Sequence, residues 1–453
     1  MRVKFFVRFL FVLFLLLTAC AVTFYIYKNN RIASYETFFQ KETMIAQKIF
    51  EEKKDQKLPN VRITEKDRIH LLVIDGGGAK GIYALRVLEY IEKQTNKPIS
   101  DLYDVIGGTS VGSLLAFTLS IPGEKGPKHS AENLIPLFKK ISSQNLQPNF
   151  SHKILSGFGL FSPLIENQTF IQKLREETGD FLLSECLNHI IIYGYNLNSN
   201  EIILANNRST KPNSVNPVGY QFIGGTTSPY GIAPANRLIL KSGSEPQLVA
   251  DAAAIINDPL LAVILTTSAQ YPNKKLLVTH ISLTPRMTKP NPNFPFYEGK
   301  LAGLEELGTM IVEGRNELIR DYIEILSRNK LYAFDSLVTI GVKEDNQWLN
   351  IDPSIMIDLV GMYPVKKFLI TYIVIAPKEF PDTLNFPFYY GSIKALNILH
   401  PLILTAQNQQ IRESLKTLSS VYNFDLLLEI GLQQNKRWSN MNAFDFSNKK
   451  MQL

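Results

Sequence analysis

The sequence predicts an α/β protein with a mainly parallel central sheet, preceded by an N-terminal membrane-anchor helix. Three observations carry that expectation. The stretches "HLLVIDGGGAKGIYAL" (70–85) and "DLYDVIGGTSVGSLLAFTLS" (101–120) each run strand, tight glycine turn, helix, and repetition of that order calls for parallel strands joined by crossover helices. Phe9 to Tyr27 form about 19 consecutive apolar or weakly polar positions after Arg2, Lys4 and Arg8, close to the roughly 20 that a helix needs to cross a bilayer. With 453 residues, 45% of them apolar, the chain can bury a large core.

The first element is the anchor, and it has a competitor. "LTAC" at Leu17 to Cys20 resembles a bacterial lipoprotein cleavage box, which would leave Cys20 lipidated as the first residue. The apolar run continues past Cys20 through "AVTFYIY", which favours a transmembrane anchor. Arg2, Lys4 and Arg8 on one side nearly balance Lys28, Arg31 and Lys41 on the other, so orientation stays open under the positive-inside rule. Only Cys20 and Cys186 occur, which excludes a disulfide framework. Ser34 to Lys54 have helix-forming composition and read as a helical stalk that Pro59 stops.

The expected organisation is an anchor or signal at 1–30, a stalk and linker at 31–65, a globular core at 66–290, and a C-terminal region at 291–453 that completes or extends the core, with a polar tail from about 433. Strands are expected at 70–75, at the end of "DLYDVI", and at "HIIIYGYNL", "LLVTHISL", "SLVTIGV" and "KFLITYIVI". Asn207 to Ser244, rich in Pro, Asn, Gly and Thr, reads as long loops or flaps. The net charge of +7 and pI near 9.0 suit an anionic partner. There is no dense Lys/Arg stripe interleaved with aromatics and no zinc-spaced Cys/His cluster, so a lipid surface is expected rather than nucleic acid.

Gly76, Gly78 and Gly81 satisfy G-x-G-x-x-G, the dinucleotide fingerprint. That reading needs a second strand ending in an acidic residue about 20 residues on. Asp101 has the distance, but "EKQTNKPIS" before it is a polar helix end and loop. A P-loop fails on spacing and lacks the magnesium-binding hydroxyl. The second motif, "GTSVG" at Gly108 to Gly112, is G-x-S-x-G where a strand turns into a helix. Small residues on both sides of Ser110 would let its Oγ stand clear of the sheet as a nucleophile. A plain helix N-cap is the alternative. The amides of Gly76, Gly77 and Gly78 at a neighbouring helix N-terminus would form an anion nest for the oxygen of an attacked ester. A serine needs a base. Of the six histidines only His280 follows an acid in the order of an α/β-hydrolase triad, Ser110, Asp251, His280, although its apolar setting also fits a core histidine.

"DGGGAKG" followed about 30 residues later by "GTSVG" resembles the patatin-like phospholipase family. The resemblance implies a three-layer sandwich and a serine–aspartate dyad without histidine: Ser110 as nucleophile, Gly76, Gly77 and Gly78 as oxyanion loop, and Lys80 at the family's basic position, where it would meet a lipid phosphate or simply cover the loop. For the base, "VADAAAIINDPLLA" resembles the family's third motif and puts it at Asp251, with D-A-A in place of D-G-[GA]. If the replaced glycine needs positive φ, Ala252 would cost on the order of 1–2 kcal/mol. Asp251 could instead cap the helix that follows it. The resemblance covers about residues 68–120 and 226–262. It implies a membrane-associated lipid acyl hydrolase of phospholipase A or lysophospholipase type, acting on phospholipid or another acyl lipid with no cofactor or metal. A catalytically inactive, membrane-tethered lipid-binding scaffold is the non-enzymatic alternative.

Overall fold

The computed structural model describes residues 2–56, 63–78, 81–145, 150–156, 162–209, 214–229, 232–283, 334–341, 357–365 and 368–375. The first half of the chain forms α1 (Arg2–Lys53), β1 (Arg68–Ile74), α2 (Gly81–Thr95), α3 (Ile99–Leu102), β2 (Val105–Thr109), α4 (Val111–Thr118), α5 (Ala131–Asn145), α6 (Phe150–Leu155) and α7 (Gln168–Thr178). Then follow β3 (His189–Asn196), β4 (Glu201–Asn206), α8 (Gly219–Thr226), β5 (Asn236–Leu238), β6 (Gln247–Ala250), α9 (Ala253–Ile256) and α10 (Leu260–Gln270). The remaining strands are β7 (Lys275–Ser282), β8 (Phe334–Gly341), β9 (Ile357–Val365) and β10 (Phe368–Ile375).

The strands form one sheet in the order β5-β6-β3-β2-β1-β7-β8-β10-β9, with β4 also paired to β3. From β3 through β2, β1, β7 and β8 to β10 every pairing is parallel, and the margins are antiparallel. Side chains alternate across the sheet. Leu72, Ile74, Ile106, Ile190 and Ile192 enter one core layer, with residues of α1, α2, α4, α5, α7 and α8. Leu71, Val73, Val105 and Ile191 enter the other, beneath α9 and α10. Because both faces are covered, β2 and β3 are buried along their whole length, which is why they read as unbroken apolar runs. The mixed α/β fold with a mostly parallel central sheet is as the sequence predicts.

Two expectations change. The second half of α1 is not a free stalk: Phe39, Ala46, Ile49 and Phe50 are buried in the first core layer. Their three- and four-residue spacing keeps them on one helix face. Polar contacts fix the same face. Glu42 accepts from the Tyr220 hydroxyl at 2.6 Å and from Gln221 Nε2 at 2.9 Å, and Lys53 donates to both Glu185 oxygens. The Asn207–Ser244 stretch is likewise not all loop. It contains β5 and the wholly buried α8, in which Tyr220, Phe222 and Ile223 are inaccessible to solvent. Eight residues with three glycines, "GYQFIGGT", are too short for helical periodicity to stand out. The tail from about 433 lies outside the described residues.

Candidate active site

The register of the sheet brings the two glycine motifs together. Ile74 pairs with Gly108, so the chain leaves β1 into Asp75–Gly78 beside the point where it leaves β2 into Ser110. Ser110 has φ 54° and ψ −121°, a region that side chains rarely occupy. The turn is sharp enough that α4 starts at the very next residue, against β1. A Cβ on Gly112 would run into the Ile74 carbonyl oxygen, so the last glycine of the motif is set by close approach. This is the strand-to-helix elbow geometry that G-x-S-x-G predicts.

Asp251 reaches Ser110 through β3. Thr109 registers with Tyr193 on one side of β3, and Ala250 registers with Tyr195 on the other. The residues that follow, Ser110 and Asp251, therefore flank the same stretch of strand. Ser110 Oγ donates to Asp251 Oδ2 at 2.5 Å across 141 positions of sequence. The other carboxylate oxygen accepts the Ala253 amide at 2.8 Å, and the Asp251 amide donates to the Ser228 carbonyl. Asp251 thus has one oxygen at the helix start and the other on the serine. Burial pushes its carboxyl up from 3.8 to about 7, against the opposing effect of the bonds from Ser110 and Ala253. Ala252 sits at φ −85°, where alanine is unstrained, so the expected cost of D-A-A does not arise.

The glycine loop departs from the expectation at one position. The Gly76 amide donates to the Asn257 carbonyl oxygen at 2.8 Å and is spent there, because one N–H makes one strong bond. Of the three, that leaves the amides of Gly77 and Gly78 as candidate oxyanion donors. Gly78 lies at φ 54°, left-handed backbone that glycine adopts without strain. Lys80 lies outside the described residues.

His280 is bound elsewhere than the triad order suggests. Its Nε2 lies 2.8 Å from Asp75 Oδ1 and 3.6 Å from Asp258 Oδ1, with all three residues buried. Ser282 Oγ donates to the second Asp75 oxygen at 2.8 Å. Asp75, Asp258 and His280 offer three metal-ligand atoms within 4.8 Å of one another. Both Asp75 oxygens are already engaged, so the trio reads as a clamp beneath the glycine loop. Asn257, Asp258 and His280 support the site without touching the serine. The Asn257 contribution is a backbone carbonyl that any residue could supply, so residue type leaves no signal of it in the sequence.

An elbow serine bonded to a buried carboxylate, beside a glycine loop on a mostly parallel sheet, defines a class of α/β proteins by its geometry. The comparisons give the family within that class. A family model described as patatin-like phospholipase matches residues 72–229, and this stretch belongs to the patatin-like phospholipase family. Patatin-2-Kuras 3 of Solanum tuberosum is 27% identical over 208 residues, 43% of this chain and 52% of its own length. Patatin-T5 of the same plant is 27% identical over 214 residues, 44% of this chain and 53% of its own length. A third potato relative, named Probable inactive patatin-3-Kuras 1, is 30% identical over 146 residues, 30% of this chain and 37% of its own length. The chain thus spans about half the length of these relatives or less. Asp251 lies beyond the matched 72–229, so its assignment rests on geometry.

Proposed function

We propose that the protein is a membrane-associated serine lipid acyl hydrolase of phospholipase A or lysophospholipase type, acting through Ser110 and Asp251. The observation that carries this reading is the 2.5 Å bond from Ser110 Oγ to Asp251 Oδ2 at an elbow held in strained backbone. Asp251 in its ionised form takes the Ser110 proton as Oγ bonds to the ester carbonyl carbon. The carbonyl oxygen becomes an oxyanion facing the Gly77 and Gly78 amides. Collapse breaks the ester C–O bond, and the leaving alcohol takes the proton from Asp251. Water then loses a proton to Asp251 as it attacks the acyl-enzyme. Release of the fatty acid returns that proton to Ser110 Oγ.

Membrane association is supported by α1. Its segment from Phe6 is long and apolar enough to cross a bilayer, with a mean hydropathy of 2.6 and no burial over its most apolar window. Lipid as substrate is supported by the patatin-like stretch and by that helix together. The test is the full chain in detergent, exposed to a fluorophosphonate probe and then to phospholipid vesicles. Labelling at Ser110 and release of fatty acid are expected. A folded chain that neither labels nor releases fatty acid would favour the inactive lipid-binding scaffold.

A further inference from the structure

Helix α6 turns two large apolar side chains to solvent. Phe150 is 74% and Ile154 42% exposed, and their i, i+4 spacing sets them on one helix face. Between them His152 points the opposite way and is buried. Its Nδ1 is bonded to the Tyr27 hydroxyl, and its Nε2 lies 3.1 Å from the Pro163 carbonyl oxygen. The Tyr27 and His152 rings are 6.0 Å apart. Tyr27 is the last residue of the apolar run of α1. From Phe9 that run spans about 27 Å at 1.5 Å per residue, against a hydrocarbon core of about 30 Å. Tyrosine at such a boundary matches the headgroup level of a bilayer. One turn on, Arg31 pairs with Glu166, which fixes the helix to the domain again.

We propose that α6 is a second membrane contact, seated on the same bilayer that α1 enters. This rests on the reading of α1 as an anchor. The bond to Tyr27 holds α6 at the depth where α1 leaves the hydrocarbon, so Phe150 and Ile154 meet the interfacial region. Exposed Lys28 on α1 and half-buried Lys153 on α6 add positive charge beside that face, which suits anionic headgroups. A lone anchor helix leaves a domain free to swivel about it. A second contact to one side stops the swivel and fixes which face of the domain lies toward lipid.

The test uses the full chain reconstituted in phosphatidylcholine–phosphatidylglycerol vesicles. A Phe150→Trp variant is read against the wild-type background of Trp348 and Trp438. Its added fluorescence is expected to be blue-shifted and quenched by lipid brominated near the headgroup end of the chain. Quenching only by aqueous acrylamide, while the protein still resists carbonate extraction, would overturn the contact and leave the anchor standing. Extraction by carbonate would instead overturn the anchor reading itself. Shielding that grows with protein-to-lipid ratio would show a second copy on this face and would also overturn the proposal. The double change Phe150→Ser, Ile154→Ser should retain fluorophosphonate labelling and lower hydrolysis of bilayer phospholipid by roughly three- to tenfold. Unchanged bilayer hydrolysis would count against it.

Discussion

Ser110 stands at positive φ, where a side-chain-bearing residue persists only because its surroundings over-determine it, at a cost of about 1–3 kcal/mol. Ser110→Ala keeps that backbone and loses the proposed nucleophile. Fatty-acid release should fall by orders of magnitude while the protein stays folded, as activity assay and calorimetry on the same preparation will report. Asp251 is tuned in the opposite sense to an ordinary surface carboxylate. Burial raises its carboxyl from 3.8 to about 7, so the ionised base is lost below neutrality, and kcat/KM should rise with pH through an apparent pKa near 7. The same shift has a stability sign. Between about pH 4 and 7 the folded protein holds a proton that the unfolded chain releases, so this residue's contribution to stability declines as pH rises across that window. Asp251→Asn can keep both bonds, accepting from Ala253 and donating to Ser110 Oγ, without burying a charge. It should be inactive yet melt higher than the wild type at pH 8, with the difference shrinking toward pH 5. A difference that grows toward acid would refute the raised carboxyl. His280→Ala would leave the Asp75 and Asp258 carboxylates buried without their shared partner, costing on the order of 3–5 kcal/mol. A fall in the urea midpoint checks this.

At the scale of elements, α1 works twice. Its first half is exposed and apolar, and its second half is core, with Phe39, Ile49 and Phe50 on the same layer as α8. Glu42 bonds Tyr220 and Gln221 at the start of α8. Just beyond that helix, Ser228 holds the Asp251 amide with its carbonyl. A chain beginning at residue 57 would expose several large apolar side chains, each worth roughly 1.5–3 kcal/mol when fully buried, and would loosen the segment on which Asp251 leans. It should aggregate or melt far below the full chain. A chain beginning at residue 31 keeps the docked half and should stay folded with Ser110 reactive to fluorophosphonate. Equal melting of the two would contradict the docking. The elbow is similarly a property of elements: Gly112 lets α4 lie against β1, so Gly112→Ala should impair folding where the same change on an exposed loop would not.

For the whole molecule, the membrane question turns on Cys20 and the residues around it. α1 runs through Cys20 without interruption from Arg2 to Lys53. An anchor uses Cys20 as one small residue among many, so Cys20→Ser should leave the protein in the membrane with its mass changed only by the substitution. Arginine at both Leu13 and Leu16 should impair insertion, at about 2.5–3.5 kcal/mol each on insertion scales. A mature chain starting at a diacylglyceryl-modified Cys20, seen by mass spectrometry, would replace the anchor with the lipoprotein reading.

The sequence by itself determined what is local. Glycine spacing wrote the elbow at Ser110 and the loop after β1, and unbroken apolar runs wrote the central strands, because strand burial and turn chemistry act over a handful of neighbouring residues. A 19-residue apolar stretch needs no partner to be recognised, either. Only the tertiary structure decided the rest. It joined Ser110 to Asp251 through their registers on β3, and it showed Ala252 in ordinary helical backbone where its sequence position raised a question of strain. It also engaged the Gly76 amide with the carbonyl of Asn257, and turned His280 toward Asp75. The second half of α1 became core, and "GYQFIGGT" became a buried helix. In each of these the deciding partner lies far away in sequence, and a hydrogen bond or a buried face across that distance leaves no periodicity for the sequence to display.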